Sequence, residues 1–193
     1  MTNSITIAGI IAFVLIGGAW YLSKGEERQS VAAVLGIDTA LAAQFEHLRA
    51  QTTNSCGGGA SIVYDRPSDG RLQGSCCFPM DAHGYKEQIE GLAAKFSAYE
   101  IIPPDPYDIP VAWGREMIEY NGSTELTPEQ QSVYDEAVEL SHEGGPCCCV
   151  CWHWYAYEGL AKHLIINENF SAEQVAEVWD LSDACGGEHN LHH

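Results

Sequence analysis

The chain has 193 residues, which suits one domain or at most two, and 46% of them are hydrophobic, which is enough for a core. It carries 27 Asp and Glu against 9 Lys and Arg, a formal net charge of −18. Such an acidic surface repels phosphate backbones and attracts cations, metal ions included. The composition therefore argues against nucleic acid as a partner and is compatible with a metal ion.

The first predicted element is an uncharged, apolar run over Ile5–Leu22. As a helix it would span roughly 27 Å, close to the thickness of a hydrocarbon core. Trp20 and Tyr21 stand at its end, where an aromatic belt belongs. We therefore predict an anchor over residues 1–28 that contacts the lipid bilayer through this run. A cleaved signal peptide and a buried core helix are the alternatives, although the start of the chain lacks the basic residue of a signal peptide.

The remainder of the chain shows helical spacing of apolar residues and clear capping signals. Residues 29–55 are predicted to form a helical stalk and residues 56–193 a cysteine-rich, mainly α, metal-binding domain. The predicted fold class is thus mainly α. It consists of a single N-terminal transmembrane helix followed by a helical domain with one small β-hairpin. The helices are predicted over about 30–52, 84–99, 111–120, 127–142, 151–167 and 171–184.

The small hairpin is predicted from two runs of strand-forming residues on either side of a Pro-Ser-Asp-Gly turn. The runs are Ala60–Arg66 and Arg71–Phe78. Folding them together would bring Cys56 towards Cys76 and Cys77 at the open end of the hairpin. The next segment, Ile101–Pro110, contains four prolines and is predicted to be an ordered loop or an extended linker.

Cysteines are concentrated in a tract that has almost no positive charge. Residues 116–193 contain fifteen acidic residues and one basic residue, Lys162. Five of the eight cysteines lie inside this tract, at positions 147, 148, 149, 151 and 185, and the first four of them are clustered. Thiolates there would find no Lys or Arg partner close in sequence, so they need protons, disulfide bonds or a metal ion.

The last two predicted helices have similar lengths and a short connection, which predicts an antiparallel pair. The start of the first would then lie beside the end of the second, so Cys185 should lie next to the cysteine run. The run also stands at a helix N-terminus, where free N–H groups lower thiol pKa values. Cys148 and Cys151 have C-x-x-C spacing, and Cys149 with Cys151 gives a C-x-C alternative. The candidate metal ligands are Cys147, Cys148, Cys149, Cys151 and Cys185, followed by Cys76, Cys77 and His153.

Soft thiolate ligands select copper(I), zinc or iron–sulfur clusters. Copper(I) comes first, because it tolerates low coordination numbers and packs into thiolate clusters, and because Met80 and His83 follow Cys76 and Cys77. An iron–sulfur cluster and zinc are the other candidates. The predicted function is metal binding for storage, delivery or electron transfer.

Other functional classes stay open. Eight cysteines could form a disulfide framework, which would suit a structural surface protein that assembles with copies of itself. A thiol–disulfide oxidoreductase is a third possibility, and plain buried thiols a fourth. Covalent haem is disfavoured, because the chain has no C-x-x-C-H motif. A catalytic role is disfavoured as well, since no Ser/His/Asp pattern, phosphate loop or H-E-x-x-H motif is present.

The cysteine run resembles the signature of the PCYCGC-motif lipoprotein family, a proline followed by cysteines at alternate positions. That pattern is kept at Pro146, Cys147, Cys149 and Cys151. The chain departs from it at Cys148 and Val150, and it has an apolar run where the family has a lipidated cysteine. The resemblance implies a membrane-anchored, extracytoplasmic domain, whereas Lys24 and Arg28 after the apolar run favour the cytoplasm. It implies no particular biochemical role.

Overall fold

The computed structural model describes residues 39–57 and 59–186. The chain divides into the units Met1–Gln44 and Phe45–His193, and the fold and site below belong to the second. Helix α1, Thr39–Leu48, runs across this division, and its Phe45 and Leu48 are buried.

The described chain is mainly helical, with one small antiparallel pair of strands. Two of its helices begin with the capping boxes that the sequence predicts, one at Thr127 with Gln130 and the other at Ser171 with Gln174. After α1 the elements are α2 Ser61–Tyr64, β1 Arg71–Gln73, α3 Ala82–Phe96, β2 Asp108–Pro110, α4 Val111–Ser123, α5 Pro128–Leu140, α6 Trp152–Asn167 and α7 Ala172–Ser182.

The predicted hairpin is wrong in its first strand. The segment predicted as a strand over Ala60–Arg66 contains helix α2, and β1 pairs instead with β2, Leu72 opposite Ile109. The Arg115 guanidinium donates to backbone carbonyls of Val63, Tyr64 and Arg66 and so satisfies the end of α2. Burial and these hydrogen bonds outweigh the β-propensity of the segment, which depends strongly on context.

The predicted fold class and the predicted membrane-anchored, extracytoplasmic location both require a membrane-spanning helix, and the structure contradicts them. Across residues 39–57 and 59–186, no helix is long and apolar enough to cross a bilayer. The longest there, α6, has 16 residues, whereas a span needs about 20 apolar ones. The run Ile5–Leu22, with the whole anchor over 1–28 and the start of the stalk over 29–55, lies outside the described residues.

The core forms where α4 packs on α6 and α5 packs on α7. The Trp113 ring meets the Tyr157 ring edge to face at 5.3 Å, and Tyr134 meets Trp179 in the same way at 5.5 Å. Trp179 also donates its indole N–H to the Tyr157 carbonyl, 3.2 Å away, which joins α7 to α6. This packing fixes the N-terminus of α6 and the C-terminus of α7, from which the cysteine-bearing segments extend.

Candidate metal centre

Two of the four segments that carry the cysteines are joined by backbone hydrogen bonds. The N–H of Cys76 donates to the Ala184 carbonyl at 3.0 Å, and the N–H of Phe78 donates to the Cys185 carbonyl at 2.8 Å. These bonds align residues 76–78 with the chain that leaves α7. They therefore set the distance between the paired cysteines and Cys185.

The segment before Cys56 is attached to both β1 and the start of α6. Asn54 donates from its backbone N–H to the Gln73 carbonyl at 3.0 Å and from its side chain to the Gly74 carbonyl at 2.9 Å. Its side-chain oxygen accepts the Trp152 indole N–H at 2.9 Å. Because Asn54 and Trp152 are both buried, this bond is protected from water and holds Cys56 beside the cysteine run.

Gly186 allows the closest approach between these segments. Its φ is +74°, in the left-handed region that glycine favours. A Cβ at this position would stand 2.2 Å from the Phe78 carbonyl oxygen, well inside contact distance. A side chain here would therefore push residues 76–78 away from Cys185.

All eight cysteines are unpaired, and their sulfurs converge. Within the run and the chain after α7, the Sγ of Cys185 lies 3.2 Å from that of Cys147 and 2.7 Å from that of Cys148. On the other side, the Sγ of Cys77 lies 3.0 Å from that of Cys56 and 4.0 Å from that of Cys148. The sulfurs thus form one connected network rather than separate pairs.

The network consists of overlapping groups of three sulfurs. In each group all Sγ atoms lie within 4.8 Å of one another, and any such group could hold a metal ion. Neighbouring groups share members, so one sulfur could bridge two ions. The groups found among the described residues are Cys56–Cys149–Cys151, Cys56–Cys76–Cys77, Cys76–Cys147–Cys185, Cys77–Cys148–Cys185 and Cys147–Cys148–Cys149.

Two of these groups differ in how far their sulfurs are exposed to solvent. The inner group, Cys76–Cys147–Cys185, contains two cysteines that are only 1–2% exposed. The outer group, Cys77–Cys148–Cys185, has two exposed cysteines and shares the buried Cys185 with the inner group. Cys185 therefore connects the buried end of the network to its surface.

The cysteine candidates predicted from the sequence all lie in this network, but not with the predicted spacing. Cys185 lies beside Cys147, the adjacency that an antiparallel α6 and α7 predict. Cys148 and Cys151 share none of the groups in the described chain, so the C-x-x-C pair is not a unit of the site. Cys56 was not among the candidate ligands, although it was expected near Cys77. It belongs to the sulfur network because the segment before it is hydrogen-bonded to β1 through Asn54, which the sequence pattern does not show.

Histidines do not join the sulfur groups in the part of the chain that the structure describes. His153 is fully buried and stacks on Tyr157 with ring centroids 4.1 Å apart. Within the described residues neither of its ring nitrogens has a hydrogen-bond partner. His83 is exposed and lies 3.2 Å from Glu87 one helical turn later. Among the described residues, the groups that could hold a metal ion therefore consist of cysteine sulfurs.

Most of the thiols are held in the protonated form. Burial raises the pKa of Cys56 and that of Cys148 to about 12. Hydrogen bonding to neighbouring thiols, first Cys147 for Cys76 and first Cys151 for Cys147, raises the pKa of both of these residues as well. A metal ion that binds them must therefore displace protons.

Two thiols are shifted in the opposite direction. Hydrogen bonds from Cys147 and Cys76, with the N–H of Trp154 at the start of α6, lower the pKa of Cys151. For Cys77, burial acts to raise the pKa, but hydrogen bonds from neighbouring thiols, Cys56 foremost, outweigh it and lower the pKa. Proton loss is thus favoured at one buried sulfur and one exposed sulfur relative to their neighbours.

No protein family, curated protein or solved structure matches this chain. These comparisons leave the resemblance to the PCYCGC-motif family, carried by Pro146–Cys151, as a prediction. Eight cysteines cluster in the fold and could bind a metal ion.

Proposed function

We propose that this chain binds copper(I) in a single polynuclear thiolate cluster and serves to store or deliver it. The observation that supports the proposal is the convergence of eight unpaired cysteines in overlapping three-sulfur groups. Sulfur ligands select soft ions, and copper(I) is the soft ion that accepts three thiolates and shares them with its neighbours.

The coordination number favours copper over zinc. Structural zinc is almost always tetrahedral with Zn–S distances near 2.3 Å, so its four sulfurs stand about 3.8 Å apart. Every group found in the described chain has three members, which fits trigonal coordination. Zinc would need a fourth sulfur to move into each group.

The sulfur separations favour copper over an iron–sulfur cluster. In a [4Fe–4S] cluster each cysteine binds a different iron atom, with inorganic sulfide between the irons, so the cysteine sulfurs must stand well apart. Here the Sγ atoms of Cys147, Cys148 and Cys185 approach to 3.2 Å and 2.7 Å. These distances leave no room for sulfide between the cysteines, whereas thiolates that bind a copper(I) ion directly need none.

The absence of imidazole from the sulfur groups favours storage or delivery over electron transfer. Copper sites that carry electrons combine a cysteine with histidines, which accommodate both oxidation states. In the described chain the groups contain only cysteine, and His153 stacks on Tyr157 outside them. An all-thiolate site stabilises the reduced ion and so suits its retention and transfer.

Local charge also supports a bound cation. Lys162, the one basic residue between positions 116 and 193, donates to the carbonyls of Asn121 and Thr124 at the end of α4. It is thus engaged away from the cysteine run. Thiolates formed by proton loss would need another source of positive charge, and copper(I) ions supply it directly.

The experiment is a copper(I) titration of the chain, purified anaerobically without chelators or a histidine tag, with metal content by mass spectrometry and a free-thiol count. We expect more than one copper ion per chain, since eight sulfurs exceed the needs of one. Cys185→Ser, which removes a member of both the inner and outer groups, should lower the copper content. Thr127→Ala, which removes only the cap of α5, should leave it unchanged.

Other outcomes identify other functions. Stoichiometric zinc or iron that copper cannot displace would contradict the copper proposal while keeping a metal site. No bound metal together with fewer than two free thiols would contradict it entirely and would favour the disulfide framework.

A further inference from the structure

We propose that Cys77 and Cys148 form an exchange port, through which copper(I) passes between the buried inner group and an incoming soft ligand such as a thiolate. This inference rests on the proposed copper-binding function and specifies the path by which the ion enters and leaves the cluster. It divides the cluster into sulfurs that retain the ion and sulfurs that transfer it.

The geometry gives a continuous route from the surface to the interior. The Sγ of Cys148 lies 4.0 Å from that of Cys77 and 2.7 Å from that of Cys185. The Sγ of Cys185 lies 3.2 Å from that of Cys147 and 3.7 Å from that of Cys76. Because Cys185 belongs to both groups, an ion can move from one to the other without ever losing all of its sulfur ligands.

The surface end of the route is open to an incoming ligand. Cys77 and Cys148 are both exposed, whereas Cys147 and Cys185 are only 1–2% exposed. The neighbouring Phe78 is 60% exposed, so the chain beside Cys77 does not fold over the sulfur. A donor from solution can therefore reach the outer group more readily than the inner group, in which Cys147 and Cys185 are buried and only Cys76 is partly exposed.

The exchange is a ligand substitution without redox change. The incoming thiolate forms a bond to copper(I) at the outer group as the bond from copper(I) to Cys148 breaks, and the freed Cys148 thiolate takes up a proton from solvent. The ion remains copper(I) throughout, and one sulfur ligand replaces another at each step. An ion in the inner group enters this sequence by exchanging Cys147 and Cys76 for Cys148 and Cys77 around the shared Cys185.

The test compares two double variants loaded with copper(I) and challenged with a sulfonated bidentate copper(I) chelator under anaerobic conditions. The first is Cys77→Ser with Cys148→Ser, and the matched control is Cys56→Ser with Cys149→Ser. Each double variant leaves two of the five groups intact, the inner group among them, but only the control keeps the outer group.

We expect the first variant to release copper in two phases, the slower one about tenfold slower than wild type, which corresponds to about 1.4 kcal/mol in the barrier. The control should release its remaining copper in one phase near the wild-type rate. Equal release from the two variants would overturn the port while leaving copper binding in place. A wild-type chain that binds no copper would overturn the port and the proposed function together.

A measurement on the wild-type chain keeps the inference testable if a variant fails to fold. The chain is loaded with one equivalent of copper(I), alkylated briefly with iodoacetamide, and mapped by peptide mass spectrometry. We expect the exposed Cys77 to be alkylated while Cys76, Cys147 and Cys185 are protected. Protection of Cys77 and Cys148 with alkylation of Cys147 and Cys185 would place the retained ion at the surface and overturn the inference.

Discussion

Replacing Gly186 by alanine tests whether the close approach of two segments builds the metal centre. The left-handed backbone at this position costs a residue with a Cβ about 1–2 kcal/mol. The new Cβ would stand 2.2 Å from the Phe78 carbonyl oxygen and 2.9 Å from its carbon, and neither backbone atom can rotate away. Separating the segments would break the two hydrogen bonds from Cys77 and Phe78 to the Cys185 carbonyl, at a net cost of about 1 kcal/mol each.

The expected loss of unfolding free energy is therefore about 3–4 kcal/mol, which a domain with about 5–15 kcal/mol of stability survives. Substitutions at two other glycines distinguish the contribution of backbone strain from that of the contact with Phe78. Gly144 has a φ of +68° with no atom within 4 Å of an added Cβ, so Gly144→Ala should cost only the backbone strain of about 1–2 kcal/mol. Gly122 lies in α4 with open space around it, so Gly122→Ala should gain up to about 1 kcal/mol.

The assay is urea denaturation of the three variants without metal, followed by copper(I) titration of each. Gly186→Ala should be the least stable of the three and should bind less copper than wild type, because the Sγ atoms of Cys76 and Cys185, now 3.7 Å apart, would separate. If Gly186→Ala is no less stable than Gly144→Ala and binds as much copper, the contact with Phe78 does not hold the site together and the reasoning fails.

Three further predictions concern the protonation of the thiols, the buried hydrogen bond between Trp152 and Asn54, and a control variant at the start of α5. Burial raises the pKa of Cys56 and Cys148 to about 12, so both thiols carry protons at pH 7. Copper(I) loading in weak buffer should therefore acidify the solution, and bound copper should be lost as the pH falls. Loading without proton release would contradict thiol ligation. Trp152→Phe should lower the free energy of unfolding by about 1–3 kcal/mol, because it leaves the buried Asn54 side-chain oxygen without its hydrogen bond. An unchanged midpoint of urea denaturation would refute this. Thr127→Ala should cost about 1 kcal/mol by the same measurement and leave copper binding intact, because it removes only a helix cap; a loss of copper would show that α5 supports the site.

Local signals allowed the starts of two helices to be predicted. A capping box needs only four consecutive residues, so the starts of α5 at Thr127 and α7 at Ser171 could be recognised without knowledge of the fold. The position of Cys185 beside the run followed from helix lengths alone, because two antiparallel helices with a short connection must bring their far ends together.

Long-range pairing could not be predicted in the same way. The sequence pattern suggested that Cys56 approaches Cys77 because adjacent strands fold into a hairpin, and the two sulfurs do lie 3.0 Å apart. The reason is different, since Asn54 bonds to Gln73 at the end of β1 while β1 pairs with β2 after a long connection. Nothing local to either strand encodes that partner, because pairing depends on what the rest of the chain leaves uncovered.

The spacing of cysteines was the least reliable guide. C-x-x-C spacing selected Cys148 with Cys151, yet Cys151 groups with Cys149 and Cys56 while Cys148 faces Cys77 and Cys185. The run precedes α6 in an extended conformation at Cys151, so successive side chains point in different directions. Spacing predicts shared ligation only when the backbone conformation between the residues is known.

The link between Cys76 and Cys185 has a consequence for the unfolded chain. These two residues are 109 positions apart, so an ion held by both closes a loop of that length. By analogy with a disulfide, such a cross-link restricts the unfolded chain by about 4.7 kcal/mol for a loop of roughly 100 residues. The inner group also cannot assemble during synthesis until position 185 has left the ribosome, so the ion would be captured only after all the helices and strands described above have been made. It would then act as a cross-link that stabilises the folded domain.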